Sequence, residues 1–368
     1  MIFVRPYVFV IDRLKPYGAE RVCVTLLEEF AATGRRVVLV TYAADHHDAP
    51  TLANSIERIQ LKRSKAKLLA IGNVTIGLRK TLTGLEPRAV LSFMPLANVL
   101  TLMATRGSGI RVIVTEHSIP SKSLKRSCLR GYVLRMLMWF WYPRAACVIA
   151  VSQDVKISLQ AFLRRSQMNV RVIYNPINYS RLSIDSAAYR DASANLAEWH
   201  RSVGSPDCLV IVGSLNEAKG HSIAIDSLKL LPAQFELVFV GDGPLRTKLM
   251  TKANAAGLGR RVHFVGEYQD VTAWITLAHT VLVPSRWEGF GLIIAEAAYL
   301  GARVITSDAL GVREIAHKVG AIICSLDSEC FAQAILRPNI RAAQDRSWVK
   351  DFDPAGVATQ YLTLLESS

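Results

Sequence analysis

The stretch "TVLVPSRWEGFGLIIAEAAYLGARVITSD", residues 280–308, decides the fold of its half of the chain. A short run of apolar and β-branched residues leads into a Gly-Phe-Gly turn, an apolar helix pattern and a second β-branched run. Two such runs joined by a helix are typical of parallel strands covered by helices on both faces. Glu288 precedes the helix and Glu296 lies eight positions later within it. Both carboxylates therefore belong to one strand–turn–helix unit.

The same alternation continues outward from this stretch in both directions. In the second half, further strand-like runs occupy residues 207–215, 235–243 and 261–268; in the first half, they occupy 7–12, 36–42, 89–94, 111–117, 147–152 and 170–176. Apolar residues at helical spacing between 19 and 30 predict a helix that Gly34 closes. A polar, less periodic segment at 176–206 separates the two series. The sequence thus predicts an α/β protein with two doubly wound parallel-sheet domains and a cleft between them.

The composition points to an anionic partner. Among 368 residues, 44 are Lys or Arg and 30 are Asp or Glu, a net charge of +14. Such an excess suits nucleotide phosphates, a lipid surface or nucleic acid, and also fits a generally basic enzyme. The six cysteines form no C-x-x-C pair, which disfavours a zinc site. The N-terminus is interpreted as a first strand and not a signal peptide.

Ligands of doubly wound sheets bind beyond the carboxyl ends of the strands, so the residues there are candidates for a site. After the first strand, Gly18 opens a helix; after the run 111–115 come Glu116 and His117. A lone histidine at such a position is either a ligand contact or a structural hydrogen-bonding group. Lys219 follows "VGSLNEA" and suits a phosphate, although a solvated loop lysine is the alternative.

The turn at 286–291 has the chemistry of a sugar- or phosphate-binding loop. Its glycines allow close backbone approach, and the helix that begins near Gly291 offers unpaired N–H groups. The carboxylates of Glu288 and Glu296 are natural acceptors for sugar and ribose hydroxyls. The alternative is a helix-capping glutamate at 288 and an exposed helix glutamate at 296.

Taken in order, these segments resemble the retaining glycosyltransferases of the GT-B fold, family 4. The resemblance runs through "GAERV" (18–22), "TEHS" (115–118), "VIAVS" (148–152), "VIYNPI" (172–177), "VGSLNEAKG" (212–220) and "VGDGPLR" (240–246). It is most specific in "PSRWEGFGLIIAEAAYLGARVITSD" (284–308), which is similar to the E-x7-E signature. The resemblance implies an acceptor-binding N-terminal domain at 1–180, a nucleotide-sugar-binding C-terminal domain at 181–348, and a final helix at 349–368 that returns to the N-terminal domain.

The resemblance also implies roles for individual residues. Glu296 would bind the ribose hydroxyls and Glu288 would lie near the donor sugar. Lys219 would stabilise the leaving diphosphate, and His117 would lie beside the sugar. The remaining implied contacts with the substrates involve Gly18, Glu116, Ser214, Phe290 and Gly291. Transfer would be metal-independent, without cofactor, and front-face with retention.

One departure from the family concerns the donor-phosphate loop. The family usually has Gly-Arg-Leu there, whereas this chain has Ser214 between Gly213 and Leu215. A cation for the diphosphate is therefore missing, unless Arg246, Arg286 or backbone N–H groups replace it. Losing a charge-assisted bond costs about 1.5–3 kcal/mol.

Two basic, acid-free stretches of the N-terminal half, 58–80 and 122–144, predict contact with an anionic membrane. The second combines its cations with Leu, Met, Tyr, Trp and Phe; a buried helix with outward-directed charges is the alternative. The expected location is cytoplasmic, at the inner leaflet of the cytoplasmic membrane. No zinc pattern, recognition helix or RNA-binding motif supports nucleic acid.

The resulting functional hypothesis is a hexosyltransferase of surface polysaccharide, O-antigen or capsule assembly. The donor would be a nucleotide-sugar, with a UDP-sugar favoured over GDP-mannose, and the acceptor a polyprenyl-diphosphate-linked or growing glycan. Two alternatives are a nucleotide-sugar-binding scaffold with weakened catalysis, for which Ser214 is the support, and a nucleotide-sugar epimerase on the same fold.

Overall fold

The computed structural model describes residues 4–15, 17–46, 49–61, 67–124, 129–184, 187–204, 207–268, 270–338 and 346–367. The chain forms two compact units, one of Met1–Pro176 with Lys350–Ser368 and one of Ile177–Val349. The sequence placed the corresponding boundaries at 180 and 348. Each unit is built around one parallel sheet, so the predicted α/β class with two Rossmann-like domains is confirmed.

The N-terminal sheet has the strand order β3-β2-β1-β4-β5-β6-β7, with every pair parallel. Its strands are β1 (Tyr7–Val10), β2 (Val37–Thr41), β3 (Glu57–Gln60), β4 (Ala89–Phe93), β5 (Val112–Glu116), β6 (Cys147–Ala150) and β7 (Val170–Val172). All of these match predicted runs except β3, whose sequence "ERIQ" lies at the sheet edge and is mostly exposed. An edge strand buries little side-chain area, which is why β3 lacks an apolar run.

Seven helices among the described residues belong to this unit. They are α1 (Gly18–Ala32), α2 (Lys67–Leu85), α3 (Pro95–Ala104), α4 (Pro120–Ser123), α5 (Leu129–Trp141), α6 (Gln153–Leu163) and, from the end of the chain, α14 (Pro354–Glu366). The predicted stripe of α1 is buried from Val22 to Phe30 and half-buried at Ala19, and Gly34 follows the helix at φ +75° as expected of a closing glycine. Helix α14 packs against α1, and its Leu364 carbonyl accepts from the Arg111 guanidinium at 3.0 Å.

The C-terminal sheet has the order β10-β9-β8-β11-β12-β13, again parallel. The strands are β8 (Asp207–Val212), β9 (Phe235–Val240), β10 (Val262–Gly266), β11 (Thr280–Val283), β12 (Val304–Ser307) and β13 (Ile322–Cys324). The helices are α7 (Ala187–Ser202), α8 (His221–Leu228), α9 (Arg246–Ala255), α10 (Thr272–Leu277), α11 (Leu292–Tyr299), α12 (Arg313–Val319) and α13 (Ser328–Leu336). The three-residue strand β13 was not predicted from the sequence.

The strand order places the candidate loops. Strand β8 lies between β9 and β11, so the chain reverses its direction of travel across the sheet between these neighbours. At such a switch point, the connections after two adjacent strands diverge and leave a crevice at the carboxyl edge. The loop after β8 carries Lys219, and the turn after β11 carries Glu288. Topology therefore brings together residues that are far apart in the sequence.

Among the described residues, no helix combines the length and apolar composition needed to cross a bilayer. Helix α5, which lies within the basic stretch 122–144, has 13 residues.

Candidate donor-binding site

The turn after β11 holds Glu288 against two partners. Oε1 of Glu288 accepts from the Lys219 ammonium at 2.6 Å and from the Ser285 hydroxyl at 2.8 Å. The Glu288 backbone N–H donates to the Leu310 carbonyl at 3.0 Å. Its side chain therefore does not cap α11, and that alternative is wrong. Because both side-chain bonds end on Oε1, Oε2 can accept from a ligand hydroxyl.

Helix α11 begins where the sequence predicts, directly after Gly291. Gly291 lies at φ +80° as the N-cap residue, a conformation that glycine adopts without strain. Phe290 beside it is buried. Glu296 is only 3% exposed, so the alternative of an exposed helix glutamate is also wrong. A carboxylate is seldom buried to this extent without a purpose or a partner.

The loop after β8 packs against the turn after β11. The Arg286 backbone N–H donates to the Ala218 carbonyl at 2.6 Å. Gly220, at φ +63°, lies so near β11 that a Cβ on it would fall 1.9 Å from the Pro284 carbonyl oxygen. The close approach of the two backbones positions Lys219 for its bond to Glu288.

A second close contact orders the glycine loops after β8 and β9. The Leu215 N–H donates to the Asp242 carbonyl at 2.9 Å, and a Cβ on Gly241 would lie 2.2 Å from the Gly213 carbonyl oxygen. The Lys219 side chain passes over Gly213, with Cε 3.2 Å from the position of a Cβ there. Gly241 is therefore needed for the close packing of the two loops, and Gly213 leaves room for the Lys219 side chain.

The structure shows what surrounds Ser214. The Ser214 side chain is half-buried in this loop. Arg246, one suggested replacement for the missing cation, bonds to Asp242 at 3.3 Å and to the Phe264 carbonyl at 3.1 Å. Arg286 has an exposed side chain, and its backbone touches the lysine loop. Of the two arginines, Arg286 is thus the one whose side chain remains available.

His221, which was not predicted as a site residue, lies directly after this loop. It is 2% exposed, packs edge-on to Phe239, and has no side-chain hydrogen-bond partner for either ring nitrogen. Burial, together with the nearby Lys219 charge, lowers the pKa of His221 to about 4. The imidazole is therefore neutral at pH 7, and it adds no positive charge to compete with Lys219.

Three predicted residues lie in the N-terminal unit. Gly18 is exposed at the first position of α1. Glu116 ends β5 and is fully buried; its Oε1 accepts from the Tyr142 hydroxyl and from Asn98 Nδ2 at 3.2 Å. Burial raises the pKa of Glu116 to about 7. These contacts make Glu116 part of the packing of its unit, and contact with substrate stays a prediction.

The hydrogen bonds of His117 define its tautomer. Nε2 lies 3.0 Å from the Thr115 hydroxyl oxygen, and that hydroxyl donates its proton to the Ser92 carbonyl at 3.0 Å. Nε2 must therefore carry the hydrogen, which leaves Nδ1 as an acceptor without a partner. Burial lowers the pKa of His117 to about 3, and the ring stacks on Phe93 at 5.6 Å. His117 is thus a neutral acceptor at physiological pH.

Next to His117, the backbone at the end of β4 is strained. Met94 has φ +77°, which is rare for a residue with a side chain, and it is the N-cap of α3. Such outliers often accompany functional sites. The sequence carries no signal for this strain at Met94.

Among the described residues, no three His, Cys, Asp or Glu side chains are grouped as metal ligands would be.

Comparison with known proteins places the chain in a family. The family model described as Glycosyltransferase Family 4 matches residues 16–181, and that described as Glycosyl transferases group 1 matches residues 206–338. Together they cover most of both units.

Similar proteins and structures agree with this assignment. A Campylobacter jejuni alpha-1,4-N-acetyl-D-galactosaminyltransferase, named for a PP-undecaprenol-linked substrate, is 22% identical over 81% of this chain and 78% of its own. The phosphatidyl-myo-inositol mannosyltransferase of Mycobacterium leprae is 26% identical over 96% and 93%. The structure of Anabaena HepE with UDP and glucose superposes with a TM-score of 0.80 at 20% identity, covering 99% and 100% of the two chains. The chain is a glycosyltransferase with the GT-B fold and belongs to glycosyltransferase family 4.

Proposed function

We propose that this enzyme transfers a hexose-type sugar from a nucleotide-sugar, with a UDP-sugar favoured, to a lipid-linked or growing glycan with retention of anomeric configuration. The observation that carries the proposal is the Lys219–Glu288 pair at the switch point of the C-terminal sheet. It places one cation and one carboxylate beside glycine-rich backbone, which is what a sugar diphosphate requires.

Lys219 serves the diphosphate without leaving Glu288. Its ammonium has three N–H donors, of which one bonds to Glu288. The other donors can bind phosphate oxygens and stabilise the negative charge that grows as the nucleotide departs. Because Lys219 is already positioned, little reorganisation accompanies the reaction.

Glu288 orients the sugar and is not a covalent nucleophile. Two hydrogen bonds fix Oε1, and both lower the nucleophilicity of the carboxylate. Oε2 accepts a hydroxyl of the donor sugar. Glu296 binds the ribose hydroxyls, and backbone at Phe290 and Gly291 contacts sugar or phosphate. The departing phosphate assists deprotonation of the acceptor, as in a front-face mechanism, with no metal ion.

His117 contributes a hydrogen-bond acceptor and not a donor. Its free nitrogen, Nδ1, is an acceptor, so it takes a hydroxyl hydrogen of the donor sugar and is unsuited to a phosphate oxygen. Glu116 and Gly18 complete the predicted contacts on the N-terminal unit.

The relatives support a UDP-sugar and a lipid-linked acceptor. HepE has also been solved with UDP-glucose, and the Campylobacter jejuni relative is named for a PP-undecaprenol-linked substrate. A role in surface polysaccharide, O-antigen or capsule assembly follows, with the enzyme at the inner leaflet of the cytoplasmic membrane, where such carriers are presented. Because the chain is also similar to the mannosyltransferase of Mycobacterium leprae, GDP-mannose is the alternative donor to be tested.

The test is a transfer assay with UDP-glucose, UDP-galactose, their N-acetylamino forms and GDP-mannose, using a polyprenyl-diphosphate glycan as acceptor. We expect turnover with a UDP-sugar, and NMR of the product should show the anomeric configuration of the donor. Turnover with GDP-mannose alone would contradict the donor assignment, and an inverted product would contradict retention.

The same assay separates transfer from the two alternatives. A scaffold would bind the nucleotide without turnover, and Ser214→Arg, with Ser214→Gln as the neutral control, would raise affinity without creating transfer. An epimerase would convert the nucleotide-sugar in the absence of acceptor. Release of nucleotide that requires acceptor excludes both.

A further inference from the structure

Helix α5 presents an apolar face to solvent. Its large hydrophobic side chains are 42–79% exposed at six positions, namely Leu129, Tyr132, Val133, Met136, Trp139 and Phe140. At 3.6 residues per turn, these positions fall within about one third of the helix circumference. An isolated exposed hydrophobic residue is ordinary, whereas a continuous helical stripe marks a contact surface.

The rest of the helix is arranged as in an interfacial amphipathic segment. The buried residues Gly131, Met138 and Trp141 lie on the opposite side and attach α5 to the N-terminal unit. Arg130 and Arg135 lie on the two sides of the exposed stripe when the helix is viewed along its axis. Arg130 is exposed, whereas the Arg135 guanidinium donates to the Phe162 carbonyl at 2.8 Å and so also joins α5 to α6. The alternative of a buried helix with outward-directed charges is therefore wrong, because large apolar side chains of the helix are exposed as well.

The last turn of α5 leads into a cavity of about 440 Å³. Its lining includes two guanidinium side chains and several neutral polar groups but no carboxylate; the residues are Tyr142, Pro143, Ala145, Arg164, Arg165, Ser166, Gln167, Met168 and Asn169. A cavity with two cations and no acid selects an anion. It adjoins the aromatic end of the apolar stripe, so one ligand can use both.

Arg165 and Arg164 are placed for this purpose. The Arg165 guanidinium stacks on Trp139 at 4.3 Å, and its Nε is buried without a hydrogen-bond partner. Arg164 ends α6 in the left-handed region, at φ +52°, where glycine would be less strained. The backbone N–H groups of Arg164 and Arg165 donate to the carbonyls of Ala161 and Gln160, which holds both residues at the end of α6.

Arg144 extends the same cluster. Its guanidinium donates to the Phe140 carbonyl and lies 4.0 Å from the Phe140 ring and 5.3 Å from the Trp141 ring. Trp and Arg together are typical of protein surfaces at the headgroup level of a bilayer. The aromatic end of the apolar stripe therefore has the composition of a surface that contacts lipid headgroups.

We infer that α5 and this cavity form a membrane-docking site, in which the cavity binds the phosphate of an anionic lipid headgroup while the exposed face of α5 enters the acyl boundary. The inference relies on the proposed function only in taking the acceptor to be bound to a membrane. The exposed face of α5 and the cavity do not depend on the donor site. Positive net charge of +14 favours the same partner.

The other predicted membrane stretch, 58–80, contributes less. Arg58 pairs with Asp45 at 2.6 Å, and Arg79 donates to the carbonyls of Ala104 and Arg106 at 3.3 and 3.0 Å. These two cations therefore support the fold. Several other cations of the two stretches lie outside the described residues; these are Lys62, Arg63, Lys65, Lys125, Arg126 and the side chain of Lys67.

Vesicle co-sedimentation of the full chain tests the site. The vesicles contain phosphatidylcholine alone or with an equal part of phosphatidylglycerol. We expect binding to the anionic vesicles, a loss of about 20-fold in the double variant Arg164→Gly with Arg165→Gln, and a comparable loss in Met136→Gln with Trp139→Ser. Because glycine suits position 164, the melting temperature of the first variant should not fall.

Matched controls make the result specific. Lys248→Gln with Arg260→Gln removes two exposed charges from the C-terminal unit, and Leu336→Gln removes an exposed leucine there. Equal losses in the arginine double variant and its charge control would overturn the inference. It would also be overturned if wild type ignored anionic vesicles, or if inorganic phosphate stabilised the protein while vesicles did not bind. Thermal stabilisation by UDP, measured separately, shows whether the donor site has failed instead.

Discussion

The Lys219 ammonium lies 2.6 Å from Oε1 of Glu288, although the two residues are 69 positions apart in the chain. Their side chains are 22% and 14% exposed, so solvent screens the pair only in part. The pair joins the loop after β8 to the turn after β11, which are the two connections that diverge at the switch point of the sheet. It therefore fixes the position of the cation before any donor arrives.

Replacing this lysine should impair catalysis more than folding. Lys219→Ala removes a charge-assisted bond to the leaving diphosphate, a loss of about 1.5–3 kcal/mol that lowers kcat roughly 10- to 150-fold. Steady-state kinetics with the preferred donor measures the effect. Lys229→Ala breaks an exposed pair with Asp226 and is the matched control, with kcat within about twofold of wild type. Wild-type kcat in Lys219→Ala would contradict the role of the lysine.

The contact between Gly220 and β11 predicts an unequal response of two glycines. Gly220→Ala places a Cβ 1.9 Å from the Pro284 carbonyl oxygen, whereas Gly257→Ala, at φ +72°, meets nothing within 4 Å. We expect Gly257→Ala to lower the free energy of unfolding by about 1 kcal/mol through backbone strain alone, and Gly220→Ala by at least twice as much. Urea unfolding compares them. Similar losses would show that the two backbones are not in close contact.

The buried Glu116 predicts a pH dependence of stability. Its pKa is raised to about 7 by burial, so the folded protein holds a proton that the unfolded chain has released above its ordinary pKa of 4.5. The favourable contribution is full below pH 4.5, falls as pH rises, and is lost by about pH 7, a change of about 3 kcal/mol. Glu116→Gln, which stays neutral, should therefore gain stability relative to wild type between pH 5 and pH 8.

Urea unfolding at several pH values between 5 and 8 measures this difference. The exposed Glu57→Gln serves as the control and should follow the wild-type profile. A Glu116→Gln curve parallel to wild type would show that the carboxyl group does not titrate in this range.

Much of the architecture could be predicted because central parallel strands are buried on both faces. Strands such as β1 and β9 are therefore nearly continuous apolar runs. The edge strand β3 and the three-residue strand β13 have no such run, since they bury less or are too short to show a period. The start of α11 was predictable from Gly291 for a local reason, its helix-capping geometry.

The site residues could be predicted from their residue types and their positions after strand ends. Which of them bond to each other could not be predicted. Lys219 and Glu288 each stand out by position, whereas their bond depends on a tertiary contact between two loops. The burial of Glu116 depends on Tyr142, 26 positions away, and no local pattern reveals it. The strained Met94 is likewise set by tertiary packing, since methionine has no preference for positive φ.

In the proposed function, the C-terminal unit binds the nucleotide of a nucleotide-sugar through the turn and helix that carry Glu288 and Glu296. Thermal unfolding with UDP, GDP or ADP tests it most directly, because a ligand of the folded state raises the melting temperature with its concentration relative to its Kd. We predict a rise of several degrees with UDP that is lost in Glu296→Gln and kept in Glu329→Gln, an exposed control in α13. No rise with any of the three nucleotides in the folded wild-type protein, or an undiminished rise in Glu296→Gln, would exclude nucleotide binding by this turn and helix.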